Sequence, residues 1–170
     1  MLSISNMTVS YGTQRILRDV DLEVRRGETL AVVGESGTGK TTLALSLLGL
    51  LNKHAESART TGSIKLGDTE ITELDESALR KVRWKRISLV FQSTADALNP
   101  VHTVFAQVRE PLIAHGICTG DAADRRTRET LTSAGLPEDR LDAYPHELST
   151  GEKQRVLIAM ALVCDPEVIV

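Results

Sequence analysis

Gly34-Glu35-Ser36-Gly37-Thr38-Gly39-Lys40-Thr41 fits the pattern G-x-x-x-x-G-K-[ST], a loop suited to holding phosphate. Before it, Thr29-Leu30-Ala31-Val32-Val33 is apolar and partly β-branched, which predicts a buried strand. After it, Lys40 to Leu51 carries Leu43, Leu47, Leu48 and Leu51 at helical spacing. Strand, glycine loop and helix is the order the motif requires. Glycines let backbone N–H groups turn inward around a polyphosphate. The helix N-terminus adds a partial positive charge. In such a loop Gly34, Glu35, Ser36, Gly37, Thr38, Gly39, Lys40, Thr41 and Thr42 cradle the phosphates. Lys40 reaches the β- and γ-phosphates, and the Thr41 hydroxyl binds Mg²⁺. A glycine-rich turn without a ligand is the competing reading, and the flanking strand and helix patterns speak against it.

Composition narrows the field. The 170 residues suffice for one domain with a real core. A net charge of −3 gives no global electrostatic case for nucleic acid or an anionic membrane. Aromatic residues at 3% are too few for a base-stacking surface. Cys118 and Cys164 lie far apart without metal-ligand spacing, which predicts reduced thiols in a cytosolic protein. None of His54, His102, His115 and His146 has a carboxylate or cysteine at ligand spacing. No apolar run approaches the ~20 residues that span a bilayer. The start of the chain does not look like a secretory signal.

The order of elements is β-rich first and helical later. Leu2, Ile4, Met7 and Val9 predict a strand with an irregularity, and Val20 to Val24 alternates like a half-buried antiparallel strand. Gly67-Asp68 predicts a hairpin turn between Gly62 and Ile71. Asp75 or Ser77 caps a helix to about Arg86, followed by an apolar strand, Ile87 to Phe91. Helices follow at Thr103–Ala114, bent or interrupted by Pro111, and at Gly120–Ala134, stopped by Gly135 and Pro137. Ser149 and Glu152 form S-x-x-E, a capping box opening an apolar helix to about Cys164. Glu167 to Val170 starts a buried strand. The basic run Arg80, Lys81, Arg83, Lys85 and Arg86 reads as a solvated helix face rather than a phosphate-binding patch.

Val9-Ser10-Tyr11-Gly12, the P-loop, Phe91-Gln92 and Leu148-Ser149-Thr150-Gly151-Glu152-Lys153-Gln154-Arg155 follow one another in that order. Together they resemble the nucleotide-binding subunit of an ATP-binding-cassette (ABC) transporter, over essentially the whole chain. The resemblance implies an α/β P-loop NTPase fold of ABC type. It comprises a mixed sheet core, a β-rich N-terminal subdomain and a helical insertion at about 95–150, within one nucleotide-binding domain, 1–170. It places Tyr11 against adenine, although a tyrosine at a strand end can also simply pack on its own sheet. It makes Gln92 a Mg²⁺ ligand and, with Lys40, a catalytic residue. It aims Ser149 and Gly151 at ATP held by a second nucleotide-binding subunit, paired head to tail as a homo- or heterodimer. The cofactors implied are ATP and Mg²⁺.

Leu98-Asn99-Pro100 and Ile158-Ala159-Met160-Ala161 resemble the dipeptide, oligopeptide and nickel importers, whereas Ser93-Thr94 departs from the Asp-Pro often found there. The resemblance implies partner membrane-spanning subunits, an extracytoplasmic solute-binding protein reached indirectly, and a peripheral place on the cytoplasmic face of the inner membrane. No nucleic-acid partner is expected. Thr150 stands for a glycine and Glu152 for a glutamine of the usual signature, which predicts a weaker ATP-dependent dimer than Thr150→Gly would form. The family's Walker B Asp, its water-polarising Glu and its later His have no match in this stretch. As it stands it is therefore expected to bind ATP and hydrolyse it poorly, and to expose a parallel strand edge. Alternatives are a soluble non-transport ABC ATPase, an ATP-binding module without hydrolysis, and an unrelated P-loop kinase, against which the signature helix argues.

Overall fold

A computed structural model of the chain describes residues 1–51, 57–91 and 97–170, which fall into two compact units, Met1–Arg80 and Lys81–Val170.

The first unit rests on an antiparallel sheet. β1 (Leu2–Tyr11) lies between β2 (Gln14–Val24) and β3 (Ala58–Leu66), and a short β4 (Thr69–Glu70) completes the order β2-β1-β3-β4. The irregularity predicted for β1 is present. Its register with β2 shifts between Ile4 and Met7, where Asn6 takes φ 49° and gives its N–H to Asp21 Oδ1 at 2.9 Å. Leu2, Ile4, Met7 and Val9 all face the interior despite the shift. The hairpin expected at Gly67-Asp68 is also there, with Leu66 opposite Thr69 and Lys65 opposite Glu70. Burial raises the Glu70 carboxyl, but hydrogen bonds from Ser63, Thr72 and Ile64 outweigh it and hold its pKa below the ordinary 4.5.

Two expectations for this unit need correction. α1 (Lys40–Leu47) ends before Leu51 because Gly49 turns left-handed at φ 60°. Leu50 N–H then reaches Leu45 O at 2.9 Å and Gly49 N–H reaches Ser46 O at 3.0 Å, a paired closure that satisfies the last carbonyls. Thr29–Val33 is not a buried strand. Among the described residues nothing forms a ladder with it, and Val33 is 92% exposed. A parallel strand is buried only by neighbours on its edges and faces, and an apolar run does not supply them.

α2 (Glu76–Val82) starts as predicted, with Ala78 N–H on Asp75 Oδ1 at 2.7 Å. It stops four residues short of Arg86, where Trp84 adopts φ 68° and its N–H turns back to Ile87 O at 2.9 Å. The basic run is thus no uniform solvated face. Arg83 is buried, and Arg86 Nε meets Glu167 Oε1 at 2.5 Å. The Arg86 hydrogen bond prevails over burial and keeps the Glu167 carboxyl below 4.5.

In the second unit β5 (Ile87–Ser88) and β6 (Val168–Ile169) form a parallel pair, prolonged by Val90 N–H to Val170 O at 2.8 Å. Ile169 is 48% exposed, so the last strand is not buried as expected. α3 (Val104–Ala114), α4 (Gly120–Ser133) and α5 (Thr150–Leu162) pack on one another around Val104, Val108, Leu112, Leu131 and Val156. Pro111 lies inside α3 without interrupting it. α4 turns Ala123, Thr127 and Leu131 inward at a spacing of four and stops before Gly135, at φ 86°, as predicted.

Candidate functional site

Each unit carries one part of the candidate nucleotide machinery. In the first unit the chain bends through Ser36–Gly39 into α1, with Gly37 at φ 82° and Gly39, the N-cap, at φ 95°. Both values favour glycine strongly. Gly39 is also the point of closest approach, since a Cβ there would stand 2.7 Å from Leu17 Cδ2 and 3.1 Å from Ile16 Cγ2. Side chains of β2 therefore press against the loop from one side, while residues 34–38 stay exposed on the other.

Lys40 folds its ammonium over this loop. Nζ donates to Glu35 O at 2.6 Å, to Gly34 O at 2.8 Å and to Thr38 Oγ1 at 3.4 Å. The Thr38 hydroxyl itself donates to Glu35 O at 2.8 Å. All three ammonium donors are thus directed at the segment that would wrap a polyphosphate, and a positive charge is held at its centre. Thr41, in the first turn of α1, is exposed and available to a cation; Thr42 is half-buried, and its carbonyl accepts from Ser46 Oγ at 2.6 Å. The glycine conformations, the helix N-terminus and the centred ammonium fit a bound polyphosphate with its Mg²⁺.

Tyr11 ends β1 opposite Gln14, two and three residues ahead of the Ile16 and Leu17 side chains that touch Gly39. It is half-buried and followed by a turn at Gly12, φ 56°. The same β1–β2 hairpin thus carries both the tyrosine and the support of the loop. Gln92 lies outside the described residues, as do Ser93 and Thr94.

The second unit presents the other part. A one-turn helix, Pro145–Glu147, leads to Leu148, and Ser149 then caps α5. The predicted capping box is formed. Glu152 N–H reaches Ser149 Oγ at 3.3 Å, and Glu152 Oε2 accepts from Ser149 N–H at 2.8 Å. The same oxygen takes the Ser149 hydroxyl at 2.6 Å. Ser149, Thr150 and Gly151 are exposed, and no heavy atom lies within 4 Å of where a Gly151 Cβ would stand. Arg140 Nε approaches Glu152 Oε1 at 3.9 Å. Nothing in the sequence near the signature signals Arg140, because it arrives from a separate turn, Glu138–Arg140.

These features define an ATP-binding cassette, and the chain belongs to the ABC transporter family, whose model matches residues 17–170. It is 37% identical over its whole length to the dipeptide transport ATP-binding protein DppD of Bacillus subtilis, covering 52% of that protein. It is 41% identical over its whole length to the peptidoglycan transport ATP-binding protein YejF of Agrobacterium fabrum, covering 32% of it. Its fold matches a dimeric structure of a post-hydrolysis state of the ATP-binding cassette MJ0796 bound to ADP and Pi. There the TM-score is 0.82 at 31% identity, over 99% of this chain and 72% of that one. The chain thus spans about half or less of these two curated relatives. Among the described residues no helix is long and apolar enough to cross a membrane.

Proposed function

We propose that this chain is the ATP-binding part of an ABC importer subunit that couples ATP binding and hydrolysis to uptake of peptides, a related small solute or nickel. The observation that carries the reading is the Lys40 ammonium centred on a glycine loop at a helix N-terminus. Bound ATP with Mg²⁺ supplies the transferable γ-phosphoryl group and its counter-ion. Gly34, Glu35, Ser36, Gly37, Thr38, Gly39 and Thr42 offer backbone donors to the phosphates, Lys40 exchanges loop carbonyls for phosphate oxygens, and Thr41 and Gln92 hold the cation. Tyr11 stacks on the base. Ser149 and Gly151 serve ATP held by a second nucleotide-binding subunit. Charge stabilisation and positioning are what phosphoryl transfer asks of such residues.

The relatives named for dipeptide and peptidoglycan transport, with the Leu98-Asn99-Pro100 stretch, support the importer branch. Membrane-spanning subunits are then the partners, with a solute-binding protein on the far side, and the subunit lies on the cytoplasmic face. Equilibrium binding of ATP in Mg²⁺ tests the core of this reading. Lys40→Ala is expected to abolish binding and Tyr11→Ala to weaken it, and unchanged affinity in Lys40→Ala would sink it. Purification of the full-length protein tests the partners: membrane proteins are expected with it, and nucleic acid in their place would move it to the non-transport branch.

A further inference from the structure

The signature helix already holds an anion, and that anion is its own. A serine hydroxyl has one proton to donate. The Ser149 hydroxyl donates that proton to Glu152 Oε2, with 2.6 Å between the oxygens, and the Ser149 N–H donates to the same oxygen at 2.8 Å. Glu152 is ionised at neutral pH, because hydrogen bonds from the Ser149 side chain and backbone keep its carboxyl below 4.5, with Arg140 and Arg155 adding to the effect. Among the described residues those two arginines are the charged groups facing it, Arg140 from the turn before the signature and Arg155 from α5 itself. In front of the first turn the space is open at Gly151.

We propose that Glu152 makes an autoinhibitory contact with Ser149, competing with the phosphate of the partner-held ATP for the same donor. This rests on the proposed role of Ser149 and Gly151. Two anions cannot share one hydroxyl proton, so phosphate gains Ser149 only when the carboxylate turns away. Even then a negative charge remains in the first turn of the helix. Glutamine at this position keeps an oxygen for the Ser149 N–H, so the helix stays capped. Being neutral, it releases the hydroxyl more readily and does not repel phosphate. ATP-dependent pairing is thereby held back by a carboxylate of the signature helix itself.

The test is self-association of the full-length protein in ATP and Mg²⁺, followed by sedimentation at low and moderate salt. Glu152→Gln is expected to tighten the dimer by about tenfold, the scale of one charge-assisted competitor removed, and to leave ATP affinity of the monomer unchanged. The gain should shrink as salt rises. A merely structural cap would predict the opposite, weaker or unchanged pairing. Ser149→Ala separates the two claims. Should Ser149→Ala weaken the dimer while Glu152→Gln leaves it no tighter, the contact is not inhibitory and only this inference falls. If Ser149→Ala has no effect, Ser149 does not serve ATP, and both the proposed role and the inference fall.

Discussion

Gly62 and Gly39 show how differently two left-handed glycines constrain one sheet unit. Gly62 has φ 89°, and a Cβ there would lie 2.4 Å from Asn6 O, a backbone atom of the irregular part of β1. Neither partner can move without undoing the ladder, so Gly62→Ala is expected to destabilise by about 3 kcal/mol in urea unfolding. Gly39 has φ 95°, but its nearest neighbour is the end of the flexible Leu17 side chain. Gly39→Ala should cost only about 1–2 kcal/mol, mainly backbone strain, yet lose ATP binding because the loop can no longer hold its shape. A larger stability loss in Gly39→Ala than in Gly62→Ala would contradict this ordering. Thr127 is the inverse case: fully buried on α4, its hydroxyl has no hydrogen-bond partner among the described residues. Thr127→Val keeps the shape and removes the unpaired group, and should raise stability by about 1 kcal/mol. A decrease would mean that the hydroxyl is bonded after all.

Elements whose hydrogen bonds are local were readable in the sequence. The Ser149–Glu152 box, the Asp75 cap, the Gly67-Asp68 hairpin and the Gly135 stop each depend on residues within a few positions, and each is present. The loop from Gly34 to Thr41 was legible for the same reason. What failed depends on distant neighbours. Thr29–Val33 has the composition of a core strand and no ladder, and the Arg80–Arg86 run ends as a buried arginine and an ion pair with Glu167, 81 residues on. Gln107 was missed too, a polar residue buried within the inward stripe of α3. Its Oε1 accepts from Asn99 N–H at 2.8 Å, and its Nε2 donates to Asn99 O at 3.0 Å and His102 O at 2.9 Å. One amide thus clips the loop before α3 by both the N–H and the carbonyl of Asn99. Gln107→Met keeps the bulk and the helix propensity but frees the loop. Stability should fall by about 1–2 kcal/mol, and the Asn99 amide should exchange with solvent at least about tenfold faster. Unaltered exchange at Asn99 would show that the loop holds itself.

For the whole molecule, ligand binding is linked to stability through one unit at a time. ATP that binds the folded loop and not the unfolded chain stabilises by mass action, by about 2.7 kcal/mol at a hundredfold excess over its dissociation constant. Lys40 is engaged with Gly34 O, Glu35 O and Thr38 Oγ1, and nucleotide binding would trade these neutral acceptors for anionic ones. Charged acceptors give roughly twice the strength of neutral ones, so the exchange favours phosphate, and more so with each phosphate the lysine can reach. Thermal unfolding should therefore rise in the order AMP, ADP, ATP, with Mg²⁺ present. Lys40→Ala should flatten the series, because the remaining backbone donors lack the centred charge. Ser149→Ala, in the other unit, should leave the series intact at protein concentrations too low for pairing, since that hydroxyl serves ATP held by another subunit. A shift in Lys40→Ala equal to the unsubstituted chain's would place the nucleotide elsewhere. Loss of the shift in dilute Ser149→Ala would mean that both parts serve one nucleotide in the same chain.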